Sequence, residues 1–355
     1  SSLPKAPKLL WEYKVKEGAF EATPAVVAGV VYIGDLDGSL FALKLENGHK
    51  IWEYKIDSGF IASPAYHQER IFVGDYDGRF FCVDAKTGKK LWERRDFKCN
   101  HHRGPAASPI AFEKSIIVHF DGFDVQYVVA LDQATGKTLW RKDRAFDFKT
   151  NNGDNKKAYC TPAVIRHGNR LELISPAAVA TESRNPRTGE LLWTVRTGGM
   201  NSSSRPLYRD GLVYVFSGMG SMSAIRPGGK GDVDKTHVAW SRRRLVPKKS
   251  SPLYLNGLLY MTSDEGVVSC NNPKSGEILW AERLGGKGQY AASPIHANGR
   301  IYFSSSEGDF PVLATGKEFK VLARNKLDAG CMASPAVVGD ALVIRTKTHV
   351  YKFEK

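Results

Sequence analysis

Residues 23–52 read TPAVVAGVVYIGDLDGSLFALKLENGHKIW, and residues 63–92 repeat the pattern as SPAYHQERIFVGDYDGRFFCVDAKTGKKLW. Both open on a small residue followed by Pro, carry a Gly-Asp-x-Asp-Gly turn, and place a Gly four residues before a Trp. Each copy holds four short apolar runs separated by turn residues, with the two-residue alternation of half-buried strands. Asp37-Gly38 and Asp77-Gly78 read as hairpin turns in which Gly supplies a positive φ. Asp-x-Asp-Gly also occurs in calcium loops, but the later Glu ligand is missing and strand lies on both sides, so the hairpin reading stands.

The small-residue-Pro signature recurs at Pro24, Pro64, Pro109, Pro162, Pro206, Pro252, Pro294 and Pro335, between 40 and 53 residues apart, which counts eight units. The Gly-to-Trp signature is met by Gly48/Trp52, Gly88/Trp92, Gly136/Trp140, Gly189/Trp193 and Gly276/Trp280, and Trp240 closes the fifth unit after a degenerate turn. The seventh unit has Gly316 but Lys320 where Trp is expected, and the eighth ends at Lys355 without a fourth strand. That strand has a copy at the other end of the chain, where LLWEYKV (9–15) repeats IWEYKI (51–56). A ring of sheets has to close, and a displaced first strand closes it, which a solenoid would not need. The expectation is an all-β, eight-bladed β-propeller of four-stranded antiparallel blades in one domain. Residues 8–16 close the last blade, and the blades run over about 18–57, 58–96, 97–147, 148–197, 198–246, 247–284, 285–327 and 328–355.

A repeat ring grows by adding neighbours, so 355 residues need no second core. No apolar run reaches the roughly 18–20 residues of a membrane-spanning helix. The opening SSLPKAP shows neither a signal peptide nor an initiator Met, so an export signal or lipid anchor is not visible in this chain. Lys and Arg exceed Asp and Glu by 51 to 37, a net charge of +14 that suits anionic partners. The charges are scattered and no nucleic-acid motif accompanies them, which argues against nucleic acid. Lys230, Lys235 and the run Arg242–Arg244 read as a solubilising loop rather than a docking rim. The five cysteines do not form a disulfide framework: Cys82 and Cys270 read as small core residues in blades across the ring, and a Cys99–Cys160 bridge is left open.

The loops that lead into the inner strands should line one mouth of the axial channel. They carry Glu21, His101, His102, Arg103, Lys156, Lys157, Asn201, Lys248, Lys249, Gln289 and Tyr290, the candidate ligand contacts. His beside carboxylates and cations can bind metal or take a proton, but adjacent side chains in an extended segment point apart, so His101-His102 is a poor metal pair. The loops before the third and fourth blades are the longest, and loops of that length are functional or mobile. No catalytic, cofactor or metal residue can be assigned from the sequence.

DGSLFALKLENGHKIW, DGRFFCVDAKTGKKLW and VVALDQATGKTLW resemble the PQQ-like (quinoprotein-type) propeller repeat over essentially the whole chain. The second half, with SPLYLNGLLYMTSDEGVVSC and CMASPAVVGDALVIRTKTHVYKFEK, resembles the secreted, BamB-like repeat proteins of Planctomycetes and related bacteria. That resemblance implies that Trp11, Trp52, Trp92, Trp140, Trp193, Trp240 and Trp280 dock between adjacent blades, with a weaker seam beyond Lys320. One aromatic per repeat at fixed register also reads as a packing element in its own right. The resemblance further implies a non-catalytic interaction scaffold of the cell envelope, periplasmic or at the cell surface. Its partners would be envelope proteins, in outer-membrane protein assembly or envelope organisation, or an anionic cell-wall polymer; the chain itself would be a monomer. The enzymatic alternatives are a dehydrogenase using PQQ and calcium, and a propeller that binds or cleaves anionic polysaccharide. The vicinal cysteine pair of the quinoprotein dehydrogenases is absent, as is a Cys-x-x-Cys-His haem string.

Overall fold

After the signature Pro the chain forms a short inner strand, three residues long in seven repeats and five (Ala163–His167) in the fourth, then turns and returns as a second strand that is largely buried. Pro fixes the entrance to the strand and lacks only an N–H that an edge strand does not need. The first blade shows the pattern: Ala25–Val27, Val30–Gly34, Ser39–Lys44 and Lys50–Lys55, each paired antiparallel with the next. The computed structural model describes residues 5–15, 18–102, 104–105, 107–327 and 329–354, and among them eight such sheets succeed one another. In seven of them the count is four strands.

The ring is closed by the first strand. Lys8–Lys14 pairs antiparallel with His349–Glu354, placing Trp11 opposite Lys352 and Tyr13 opposite Val350. Each hydrophobic cluster joins two neighbouring blades, and the set runs around the whole circle. Trp11, Phe20, Ile33, Phe41, Val343 and Val350 form the cluster that seals the last blade against the first.

The Asp-x-Asp-Gly turns are hairpins. Asp35 Oδ1 accepts from the backbone N–H of Asp37 at 3.0 Å and of Ser39 at 2.8 Å, and Asp75 does the same for Asp77 and Arg79. Later blades use a shorter side chain for the same role: Ser305 Oγ accepts from Glu307 and Asp309. A second belt follows the residue before each Pro. Thr23 N donates to Ser63 Oγ, Ser63 N to Ser108 Oγ, Arg205 N to Ser251 Oγ, Ser251 N to Ser293 Oγ and Ser293 N to Ser334 Oγ, all at 2.9–3.1 Å. The small hydroxyl residue beside Pro thus accepts from the preceding blade at five of the seams, and Arg205 is the one large residue at this position.

Two features depart from the sequence expectation. The fourth sheet has a fifth strand, Gly231–Asp232, which pairs parallel with Trp193–Thr194 of the outer strand Leu191–Arg196. This segment belongs to the fifth repeat and crosses back to the preceding blade. In the seventh blade the position taken by Trp elsewhere is Ala323 rather than Lys320: Ala323 faces Val312 as Trp92 faces Cys82 and Trp280 faces Cys270. Lys320 falls in the turn, because this turn is longer than in the other repeats.

Candidate interaction site at the inter-blade loops

The tryptophans show how the loops are held. Trp11 lies on Gly48, Trp52 on Gly88, Trp92 on Gly136, Trp140 on Gly189 and Trp240 on Gly276. Each of these glycines has φ of 71–75°, and a Cβ there would meet the indole at 2.6–2.8 Å. Only Gly supplies both the left-handed backbone and the missing methyl. Six indole N–H groups donate to a carbonyl of the next blade's turn: Trp11 to Leu45, Trp52 to Ala85, Trp92 to Gln133, Trp140 to Pro186, Trp240 to Pro273 and Trp280 to Gly316. Trp193 differs, donating to Glu172 Oε2 of its own blade at 2.7 Å. Glu172 also accepts from Ser183 Oγ at 2.8 Å and, through Oε1, from Gly228 N of the fifth blade at 2.9 Å. A buried carboxylate therefore bridges this seam where the degenerate turn presents no carbonyl.

The candidate mouth residues fall into separate groups. In the first, His101 is 7 % exposed and packs edge-on against Tyr159 at 4.7 Å and Phe123 at 6.3 Å. Burial, reinforced by Lys157 and His102, lowers its pKa to about 4. His102 meets the Phe123 ring at 4.5 Å and approaches Asp154 at 3.9 Å. Lys157 is buried, ion-paired with Asp154 and 4.9 Å from the Phe123 ring centre. Asn201 takes a left-handed φ of 59° and donates its backbone N–H to Lys157 O at 2.9 Å. Lys156 sits over Phe148 at 5.9 Å. Arg103 lies outside the described residues.

In the second group, Lys249 Nζ reaches Gln289 Oε1 at 2.8 Å and Asp264 Oδ2 at 3.2 Å, and Lys248 Nζ reaches Glu265 at 3.4 Å. Tyr290, expected at the mouth, is buried instead. Its ring covers Gly266, its hydroxyl donates to Gly285 O at 3.0 Å, and burial pushes its pKa up to about 12. Glu21 stands apart with an exposed side chain; its carbonyl and that of Ala22 accept from the buried Arg345 guanidinium.

All five cysteines are free thiols, so Cys99 and Cys160 are not bridged. Cys160 Sγ donates to Ser204 O at 3.0 Å, and Cys99 Sγ packs where a Cβ on Gly122 would fall. Among the described residues no three His, Cys, Asp or Glu side chains converge as a metal set, and no helix is long and apolar enough to cross a membrane.

Two groupings escaped the sequence reading. One is a buried ionic network at the seam of the third and fourth blades. Arg144 forks onto Asp121 at 2.6 and 2.9 Å and contacts Glu182 at 3.3 Å, while Arg184 contacts the same Glu182 oxygen at 2.9 Å. Ser175 joins it, accepting from Arg144 at 2.5 Å and lying 2.9 Å from His119 Nε2. The other is Arg242. It does not belong to a solubilising loop: it lies on the outer strand Val238–Arg242 and donates to Asn271 Oδ1 at 2.9 Å and Gly276 O at 2.8 Å.

Relatives share this architecture. BamB from Moraxella catarrhalis superposes with a TM-score of 0.76 at 15% identity, covering 99% of this chain and 100% of that one. A europium-containing methanol dehydrogenase gives 0.76 at 13% identity over 98% of this chain and 93% of its own. The quinohemoprotein alcohol dehydrogenase of Comamonas testosteroni gives 0.73 at 14% identity, covering 99% and 76%. At such identities the likeness is one of fold. Outer membrane protein assembly factor BamB from Shewanella oneidensis is 32% identical over 96 residues, 27% of this chain and 24% of that protein, so the match spans about a quarter of the relative. The family model described as outer membrane protein assembly factor BamB matches residues 4–185 and 126–355, which together take in nearly the whole sequence. The chain belongs to that family of propellers.

Proposed function

We propose that this chain is a non-catalytic docking scaffold of the cell envelope that holds partner proteins during the assembly of outer-membrane proteins. One observation carries the non-catalytic part: apart from Glu21, the carboxylates of the two mouth groups are each held by a lysine. Asp154 is held by Lys157, Asp264 by Lys249 and Glu265 by Lys248, and His101 is packed away as a neutral ring. A general base or a metal ligand needs a lone pair aimed at substrate. A docking face needs only rigid loops of fixed shape, which the Trp-on-Gly seams provide.

The donor set does not suit a quinone held with calcium. The mouth carboxylates face lysines, and the loop thiols Cys99, Cys160 and Cys331 belong to different blades rather than to a vicinal pair. Membership of the BamB family supports the envelope setting and protein partners.

The test immobilises the full chain and challenges it with a detergent-solubilised envelope fraction of its own cells. Enrichment of β-barrel outer-membrane proteins or their assembly machinery over a size-matched propeller is expected. Dye-linked alcohol oxidation after addition of PQQ and calcium, or new unsaturated ends in an acidic polysaccharide, would overturn the reading.

A further inference from the structure

The second and fifth blades carry the same arginine at the same register. Arg94 stands two residues after Trp92, opposite Phe80, and Arg242 two residues after Trp240, opposite Met222. Both send Nη1 across the seam to the glycine carbonyl of the next blade's turn, Arg94 to Gly136 at 2.5 Å and Arg242 to Gly276 at 2.8 Å. The rest of the guanidinium fork is treated differently. In the second blade Asp96 accepts from Arg94 Nε at 2.8 Å and Nη2 at 2.6 Å, a bidentate carboxylate pair. In the fifth blade the residue two positions on is Arg244, and Arg242 Nε and Nη2 are buried donors without an acceptor.

Two orphaned nitrogens on one cation call for an explanation, since buried donors are almost always satisfied. No carboxylate within the described residues pairs with Arg242, Arg243 or Arg244. Directly beyond them Leu245 takes a left-handed φ of 54°, a strained position for a bulky side chain. The molecule thus repeats an Asp-filled arginine fork with the Asp replaced by a further cation.

We infer that the Arg242 fork, with the exposed Arg243 and Arg244 around it, is a docking point for an acidic segment of a partner protein, whose Asp or Glu carboxylate displaces the atoms that now cover Nε and Nη2 and takes the place that Asp96 fills in the second blade. The inference rests on the scaffold reading for its occupant and on the blade-to-blade comparison for its chemistry. A net charge of +14 favours the approach of such a segment.

The experiment uses the full chain labelled with 15N-arginine and a capped tetra-aspartate peptide at low salt, with inorganic phosphate at equal ionic strength as a second arm. The Arg242 Nε–Hε signal, assigned through Arg242→Lys, is expected to shift saturably with peptide while that of Arg94 stays put. Arg244→Asp should supply the missing carboxylate from within, weaken peptide binding at least roughly tenfold and raise Tm by roughly 1–3 °C. Arg242→Lys keeps the charge without the fork and should also lose the peptide. An unmoved Arg242 signal, a shift that survives Arg244→Asp, or a response to phosphate alone would overturn the inference. Because the probe is a defined peptide, failure here leaves capture of envelope proteins through other loops untouched.

Discussion

Trp193 donates its indole N–H to Glu172 at 2.7 Å, the one case among the seven tryptophans in which the acceptor is a carboxylate of the same blade. Glu172 in turn receives Gly228 N from the fifth blade, so one buried side chain stands in for the turn that the other seams use. Glu172→Ala would leave the donors of Trp193, Ser183 and Gly228 unpaired in the interior. The expected loss is about 3–5 kcal/mol, read as a fall in thermal or urea midpoint. Glu172→Gln keeps an acceptor oxygen and should cost distinctly less. Equal losses for the two variants would show that the site senses charge alone.

Much of this architecture could be read in advance, for a physical reason. Repetition multiplies a weak signal: eight Pro starts and a strand repeated as LLWEYKV and IWEYKI specify the ring and its closure. Sites do not repeat, and there the reading fell short. Tyr290 sits in a loop and looks like a ligand contact, yet its ring fills the space over Gly266. Lys320 stands four residues after Gly316, but a longer turn moves the Trp register to Ala323. The Arg144 network joins residues far apart in sequence. Its only local signal is the placing of charges in buried strands, as in LELISP and ATESR.

Ala323 can be put to use. A tryptophan helps a seam only where the next blade offers a glycine turn, and the last blade has none because its outer two strands come from opposite ends of the chain. Ala323→Trp should therefore bring no gain in Tm, although it restores the repeat. Trp11→Ala, at the equivalent register one blade further on, where the eighth blade meets the first, removes a ring that is 9 % exposed and lies on Gly48. It should cost about 3–5 kcal/mol. Between the seventh and eighth blades lies a cleft of about 160 Å³ lined by Pro7, Phe310, Leu327, Ile344 and Phe353 among others. A clear stabilisation by Ala323→Trp would show that a turn is not required.

Acid should loosen the third-to-fourth blade junction. His101 is neutral in the folded chain, with its pKa lowered to about 4 by burial and then by Lys157 and His102, partly opposed by Asp154. The unfolded chain takes up a proton near 6.5, so this group's contribution is complete above that pH and is lost as the pH falls towards 4. The loss is on the order of 3 kcal/mol at most. His119, fully enclosed and also shifted down by burial and by Arg144, acts in the same direction. His101→Phe should narrow the difference between the Tm at pH 7 and at pH 4.5 without abolishing it. An unchanged difference would mean that His101 is not the buried neutral ring.

The ionic network tests what holds the fourth blade in place. Burial works against the charge of Asp121, whose pKa is raised despite the Arg144 fork. The pair therefore owes its persistence to mutual attraction and to Ser175 and Glu182 rather than to any preference for charge in the interior. Arg144→Leu strands Asp121 without its cation, while Glu182 keeps Arg184, and should cost about 3–5 kcal/mol. Adding Asp121→Leu removes the stranded charge and refills the volume with apolar atoms, so the double variant should recover a good part of that loss. A double-mutant cycle on urea unfolding measures the coupling directly. A double variant less stable than Arg144→Leu would mean that the Asp121 side chain does more for this junction than pair with Arg144.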